Sequence, residues 1–486
     1  MGTGHVMRCL ALAQSWMDLA RGRAAFAVHA LPDALERRLV REGLDILRIP
    51  SEGAGDAGET SRLSRDLGAE WIVADGYHFG TAYYRSLRDD GGRVLVFDDG
   101  GGSDFQGADA VVNQNLFADR SLYPEWTGFA RLLLGCRYVQ LRREFRRWIG
   151  WTRTVEKEAR RILVTLGGSD PENVTTRVIE ALCHAVSAHC EVTVVIGAGS
   201  SHLAVVKDVV ESSGRNIRVL HDVQDMSELM VWADLAIAAG GTTSWELLFL
   251  GVPSVTLELA PNQAPVAHSL RGAGLTLAPG NGSVANGQEI LEAIRDLAGN
   301  FELRRQQAEA GQRTVDGRGC ERLVNAMGGA TLNLRDVEPR DCRLLFKWAN
   351  DRETRSASFS SDPISWDRHQ AWFASKLNDT ECAFFIAENS GGEPIGQARF
   401  ELNGLEATIS ISLDVAHRGV GYGERLLSAS ADRLFAERGV NHFHAFVKPE
   451  NAASSRTFER AGYKKCRSVI VHGQSADPFV LRRGAV

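Results

Sequence analysis

The sequence predicts an α/β protein in which two doubly wound parallel sheets are followed by a smaller mixed α/β unit. Three observations predict it. Short apolar runs alternate with amphipathic segments from the N-terminus to about residue 327, which is the rhythm of strand, helix, strand units with parallel strands. Two of those runs end in glycine-rich turns that open helical patterns: Ile162 to Leu166 before Gly167-Gly168-Ser169-Asp170, and Leu235 to Ala239 before Gly240-Gly241-Thr242-Thr243-Ser244. From Thr331 the pattern becomes strands joined by short turns such as Gly391-Gly392 and Asn403-Gly404. The domains expected from these changes are 1–150, 151–328 and 329–486.

Composition bounds the function. A chain of 486 residues, 44% hydrophobic and 24% charged, has the length for about three folding units. A net charge of -6 without long basic runs leaves no electrostatic footprint for nucleic acid. No apolar run approaches the roughly 20 residues that span a bilayer, and no export signal is visible, so a cytoplasmic enzyme of small molecules is expected. The eight cysteines form no C-x-x-C pair or zinc-type grouping, which predicts reduced thiols. Asp98-Asp99 invites a metal reading, but no third ligand follows at a supporting spacing, and no metal is expected.

In chain order, Met-Gly-Thr-Gly-His leads into a helical pattern from Val6 to Ala20, with Leu10, Ala13 and Met17 on one side. His5 at the helix start faces a dipole that disfavours the imidazolium, so a neutral ring able to take a proton from water is expected there; the plain alternative is a capping or surface histidine. Strands are predicted in AAFAVHA, WIVAD, RVLVF, AVVNQN and RLLLG. Polar residues follow their C-terminal ends at Asp75-Gly76-Tyr77, Asp98-Asp99 and Asn113-Gln114-Asn115, the edge where open parallel sheets bind ligands. Singly, each carboxylate also suits a turn or cap. Arg142 to Arg161 reads as a charged helical connector. The second half repeats the pattern with ILVTL, EVTVVIG, IRVL, LAIAAG and PSVTLEL and ends in a helical tail from Gly287 to Met327. Two Rossmann-like halves around a cleft make the GT-B architecture common among sugar-nucleotide enzymes, and the pattern alone does not separate hydrolase, epimerase and glycosyltransferase.

The motifs G-T-G-H-V-M-R-C-L-x-L-A, V-A-D-G-Y, L-L-G-x-x-Y, L-G-G-S-D, A-G-G-T-T-S-W-E-L and V-D-G-R-G together resemble one family over about residues 1 to 327. It is the UDP-2,4-diacetamido-2,4,6-trideoxy-β-L-altropyranose hydrolase of pseudaminic acid biosynthesis. The resemblance implies metal-independent cleavage at the anomeric carbon with release of UDP, and its catalytic histidine falls on His5, beside Gly4. The diphosphate cradle is then expected from backbone N–H groups around Gly167, Gly168 and Ser169 and around Gly240, Gly241, Thr242, Thr243 and Ser244. By the same likeness Glu246 would accept from the ribose hydroxyls, its plain alternative being a first-turn carboxylate stabilising its own helix. Asp75, Tyr77, Asn115, Asn262 and Gln263 are candidate sugar contacts. Family members begin with a strand and a loop carrying Arg and Asp before G-x-G-H, whereas this sequence starts inside that loop. In a doubly wound sheet the absent strand is central, and exposed neighbouring edges are expected.

In the last third, His417-Arg418-Gly419-Val420-Gly421-Tyr422-Gly423 follows a strand and opens a long helix, a pyrophosphate cradle by its chemistry. With the strand HFHAFV, Asn451 and Ala461-Gly462-Tyr463 it resembles the GNAT acetyltransferases, particularly those acting on amino sugars carried by nucleotides. The resemblance implies acetyl-CoA as co-substrate, held by Arg418, Gly419, Gly421, Gly423 and Asn451, with strand backbone at Leu413 to Val415 along the pantetheine. Where many such enzymes carry a thiolate-protonating tyrosine stands Phe458; Tyr422 and Ser454 are weak substitutes.

The two resemblances fit consecutive steps of one pathway, so a bifunctional enzyme using a UDP-sugar and acetyl-CoA is expected. The alternatives are a GT-B glycosyltransferase or a hydrolase of a related diamino sugar fused to an acyltransferase, and a non-catalytic sugar-nucleotide module serving the acetyltransferase.

Overall fold

The computed structural model describes residues 3–20, 22–49, 54–102, 105–124, 130–168, 170–280, 285–328, 332–389, 392–471 and 473–483. It divides into two compact units, Met1–Met17 with Arg23–Leu323, and Asp18–Gly22 with Val324–Val486. The fold is mixed α/β throughout, and among the described residues no helix is long and apolar enough to cross a membrane.

The first unit opens with the helix Thr3–Ser15, which runs into a π-helical turn, Trp16–Ala20. Its strands are β1 (Ala25–Val28), β2 (Asp45–Arg48), β3 (Trp71–Asp75), β4 (Arg93–Phe97), β5 (Ala110–Asn113) and β6 (Arg131–Leu134), then β7 (Arg161–Thr165), β8 (Glu191–Ile196), β9 (Ile217–His221), β10 (Leu235–Ala239) and β11 (Ser254–Leu257). All pairings among them are parallel, as expected. The later strands form one sheet in the order β11-β10-β7-β8-β9, whereas the earlier ones form two separate pieces, β1-β2 and β3-β4-β5-β6. β4 and β5 are nearly all buried while β1 is only half-buried, as separation from the larger piece requires.

The later sheet is covered on both faces. Val255 and Leu257 join Ile162, Val164, Val194 and Ile237 on one side, and Leu163, Val195, Ala236 and Ala238 meet Trp245, Leu248 and Phe145 on the other. Continuous apolar strands are what two-sided burial demands. The segment expected as a helical connector holds only a 3-10 turn, Arg143–Trp148, and then irregular chain up to β7. Arg153 explains why it does not continue as a helix, because its guanidinium crosses to the carbonyls of Leu250, Ala233 and Met230 and ties the segment down by its side chain. The helical tail is broken into Gly287–Gly299, Phe301–Thr314 and Gly319–Ala326, with Asn286 and Asn300 capping the first two.

The last of these helices returns to the loop after β6. A methyl group on Gly319 would lie 2.0 Å from the Val139 carbonyl oxygen, and Arg322 donates to the Arg137 carbonyl. The motifs L-L-G-x-x-Y and V-D-G-R-G, far apart in sequence, are thus packed backbone to backbone. Gly319→Ala must push these segments apart, and overpacking of about 1–3 kcal/mol corresponds to a lower unfolding midpoint for this unit by roughly 2–5 °C. Differential scanning calorimetry of the variant checks this.

The second unit holds β12 (Asn333–Asp336), β13 (Cys382–Glu388), β14 (Pro394–Asn403), β15 (Glu406–Leu413), β16 (His442–Val447), β17 (Lys464–Lys465), β18 (Val469–Val471) and β19 (Gln474–Arg482), in the order β12-β13-β14-β15-β16-β19-β17 with β18 paired to β19. All neighbours are antiparallel except β15 and β16. That parallel pair is in register only from Glu406↔His442 to Thr408↔His444, so the strands separate beyond this point. Phe385, Phe400 and Phe443 form a ring cluster on one face, where Arg433 of the helix Tyr422–Arg438 lies over Phe385. On the opposite face Trp372 of the helix Trp366–Leu377 meets Phe384 and Arg399.

Candidate active sites

In the first unit the site grows from the start of the helix Thr3–Ser15. His5 Nδ1 donates to Asp75 Oδ1 at 2.5 Å, and Asp75 stands at the C-terminal end of β3. Arg8, one turn further along the same helix, donates to both Asp75 oxygens at 2.7 Å and to Asp99 at 2.7 and 3.0 Å. Burial alone would raise the Asp75 carboxyl, but the hydrogen bonds from Arg8 and then His5 outweigh it and hold its pKa down at about 2. An ionised Asp75 can only accept, so the shared proton belongs to His5 Nδ1, and Nε2 is the ring nitrogen without a hydrogen bond among the described residues. The Tyr77 ring meets the His5 ring edge-on at 5.0 Å, and its hydroxyl donates to Asp99 at 3.2 Å.

The structure gives several of the sequence-derived candidates partners within the fold. The Asp75 side chain is buried and bonded to His5 and Arg8, so it positions the histidine. Asn115 is buried too, with its Nδ2 donating to the Asp99 carbonyl and its N–H to Asn113, and so it shapes the loop. Asp98 accepts from Tyr123, Gly100 and Gly101, which is a turn role. Among the described residues no group of three His, Cys, Asp or Glu side chains is placed to hold a metal.

β10 and β7 are neighbours, so their glycine turns lie side by side at one sheet edge. The helix after Gly241 begins at Thr242, earlier than the position near Trp245 that the apolar pattern suggested. The donors also differ from expectation. The Gly240 N–H is bonded to the Leu257 carbonyl, the Gly241 N–H to Ala239 and the Ser244 N–H to Gly241; Thr242 and Thr243 are left with N–H groups that have no hydrogen bond among the described residues. An ideal Cβ on Gly4 would sit 3.6 Å from the Thr242 side chain, so the first turns of the two helices converge. Converging N-termini are an anion site by their dipoles. On the β7 side Ser169 lies outside the described residues. The next helix starts at Val174, not Glu172, and Asp170 already accepts from the N–H groups of Val174 and Thr175, so that N-terminus is closed to a phosphate. Gly167 and Gly168 instead admit the loop after β8: a Cβ on Gly197 would come within 2.6 Å of Gly168.

Glu246 is buried, and its Oε1 accepts from Arg142 at 2.8 and 3.0 Å. Burial pushes its carboxyl above the usual carboxylate range, with Arg142 pulling the other way. A ribose would therefore meet a carboxylate with one oxygen already engaged. The Gln263 side chain accepts from the Leu259 N–H and shapes the loop after β11, while Asn262 bears on the Tyr77 hydroxyl. Arg8 and Arg142 are the residues that sequence reasoning missed. The His-x-x-Arg spacing, which places both side chains on one helix face, carried the signal for Arg8.

In the second unit the glycine turn precedes the long helix Tyr422–Arg438, with Gly419 at φ +71 and Gly421 at φ +100, conformations that suit glycine. The Arg418 guanidinium is held by Asp351 at 2.7 Å, Glu353 at 2.8 Å and the Leu413 carbonyl at 3.0 Å, so its side chain clamps the turn. Gly423 serves packing, since a Cβ would lie 2.9 Å from Thr457 of the helix Ala452–Arg460. Val415 is not strand but the start of a 3-10 turn after β15, which ends at Leu413. Asn451 caps the helix Ala452–Arg460 through the Ser454 N–H. Phe458 is buried between Tyr463 and Phe479. A wedge between β15 and β16 that leads to a glycine turn at a helix N-terminus fits a long thioester cofactor with a pyrophosphate, with β15 backbone from Ile409 to Leu413 along its arm.

Comparison with known proteins gives the classes first. Residues 161–268 match the glycosyltransferase family 28 C-terminal domain, and residues 331–464 match the acetyltransferase (GNAT) domain, so the chain joins a glycosyltransferase-like domain to a GNAT acetyltransferase domain. Among individual relatives, the uncharacterized protein MJ1062 of Methanocaldococcus jannaschii is 23% identical over 96% of this chain and 95% of its own length. The spore coat polysaccharide biosynthesis protein SpsG of Bacillus subtilis is 28% identical over 48% of this chain and 68% of its own. The L-2,4-diaminobutyric acid acetyltransferase of Streptomyces coelicolor is 26% identical over 30% of this chain and 85% of its own.

Proposed function

We propose that the chain carries out two steps on one nucleotide sugar of nonulosonic (pseudaminic) acid synthesis. The first unit hydrolyses UDP-2,4-diacetamido-2,4,6-trideoxy-β-L-altropyranose to UDP and the free sugar, and the second acetylates the 4-amino group of its UDP-linked precursor with acetyl-CoA. The observation that carries the hydrolase reading is His5, fixed by an ionised Asp75 with its Nε2 free, at a helix start that abuts the Thr242 N-terminus. His5 takes a proton from water as oxygen attacks the anomeric carbon. The bond to the diphosphate breaks, and the N–H groups of Thr242 and Thr243 receive the charge that develops on it.

For the second unit, the GNAT match and the wedge beside the glycine turn support acetyl transfer to an amine. Its acetyl-CoA would lie along β15 with its pyrophosphate at the Gly419 to Gly423 turn and supply the acyl group. The glycosyltransferase family 28 match favours one other reading, transfer of the sugar to an acceptor.

The test is UDP release from the purified chain given the 4-amino UDP-sugar, with and without acetyl-CoA. Release that depends on acetyl-CoA and needs no added acceptor supports both activities in this order. Acetyl-CoA consumption without UDP release rejects the hydrolase reading and leaves the transferase or binding-module alternatives.

A further inference from the structure

We propose that His444, held by Glu406, is the group that takes the proton from the acceptor amine in the acetyltransferase unit, an inference that rests on the acetyl-transfer reading above. His444 is the last residue of β16 in register with β15, so it stands where the two strands part. A thioester arm lying along β15 toward the glycine turn has its acyl end at this fork. Side chains alternate along a strand. Phe443 faces the helix Tyr422–Arg438 with Phe400, so His444 lies on the opposite face with Arg399 and Gln397 of β14.

That face holds an unusual group of polar atoms. Gln397 Oε1, Arg399 Nε and His444 Nε2 are buried without a hydrogen bond among the described residues. Buried polar atoms normally find partners, and the two on β14 suit a hydroxyl-rich ligand, while the His444 Nε2 faces Glu406 across β15. The Gln397 Nε2 is already fixed by Ser412 and the Arg399 guanidinium by the Trp372 ring, so both are oriented without being satisfied.

His444 is the proton acceptor by elimination. Its Nε2 faces Glu406 at 3.6 Å, which leaves Nδ1 for the open side of a side chain that is 32% exposed. The other charged or titratable groups on this face are Arg335 of β12, Cys382 of β13, whose thiol burial pushes up, Arg399 and Glu401 of β14, Glu406 of β15, His442 of β16, Arg482 of β19, Lys464 of β17 and Lys376 of the helix Trp366–Leu377. Glu401 is paired with Arg399 and Lys376, and the His442 Nδ1 with Asn441. The lysines and arginines have no lone pair to offer.

In the step, His444 removes one proton from the substrate ammonium group. The free amine forms a bond to the thioester carbonyl carbon, the carbon–sulfur bond breaks, and the second nitrogen proton passes through water to the departing thiolate. Phe458 has no hydroxyl to supply that proton, which is why the solvent path is required.

The experiment uses the full chain with acetyl-CoA and UDP-2-acetamido-4-amino-2,4,6-trideoxy-β-L-altropyranose, reading thiol release against pH. Wild-type chain that releases no thiol overturns the acetyl-transfer reading and this inference with it. With active wild type, His444→Gln is expected to lose at least about 10²-fold in kcat and the acid limb of the pH profile. Its acetyl-CoA dissociation constant by calorimetry and its unfolding midpoint are expected to stay unchanged. His444→Gln that keeps the wild-type rate and pH profile overturns the assignment. If that variant fails to fold, Glu406→Gln, at a mostly exposed position, decides: a several-fold drop in kcat with an unchanged KM for the amine supports the pair, and an unchanged kcat refutes it.

Discussion

His5→Ala is expected to lower UDP release by about 10²- to 10⁴-fold, the usual worth of a positioned general base, while thiol release from acetyl-CoA stays at the wild-type rate. Coupled assays of the two products on the same preparation separate the outcomes. Loss of UDP release alone places the base in the first unit. Unchanged UDP release would mean that water is activated elsewhere or that this unit only binds the nucleotide sugar. The size of the effect follows from geometry, because among the described residues His5 has its Nδ1 committed to Asp75 and Nε2 left over.

Asp75→Asn is expected to be nearly as damaging to UDP release and, unlike His5→Ala, to destabilise the unit. The amide can hold the ring only by donating to it or by accepting weakly, so the tautomer that leaves Nε2 as acceptor is no longer enforced, the same logic that applies to the aspartate of a serine-protease triad. Arg8 is buried and would keep only Asp99 as its counter-charge, and breaking a buried pair on one side costs about 3–5 kcal/mol. The wild-type pH dependence follows from the same carboxylate. Its folded pKa, about 2, lies below the ordinary 3.8, so its stabilisation is complete above the ordinary value and is lost as pH falls from about 4 to about 2. A shift of this size corresponds to roughly 2 kcal/mol. Acid titration of the unfolding free energy should show this loss in the wild type and not in Asp75→Asn.

Most strands of the first unit were legible because burial on two sides forces apolar runs, as in Ile162 to Leu166 and Leu235 to Ala239, both fully or nearly fully buried, whereas β17, β18 and β19 of the second unit were not read from the sequence. β2 was not legible, since Asp45 and Arg48 bracket only two apolar residues. The glycine turns were legible as motifs, but not the allocation of their donors. Whether the Gly240 N–H points at a ligand or at the Leu257 carbonyl depends on a strand that the motif does not contain. The partners of charged residues were not legible for a similar reason: Arg418 and Glu246 match binding patterns, and each also has a counter-ion distant in sequence, Asp351 and Arg142. His444 gave no signal at all, because its position at a fork between strands exists only in three dimensions.

The return of the helix Gly319–Ala326 onto the loop after β6 means that the chain links the β3-β4-β5-β6 sheet to the later five-stranded sheet twice, once through Arg142 to Arg161 and once here, at the contact of Gly319 with Val139, so that the two are tied at both ends of the later chain segment.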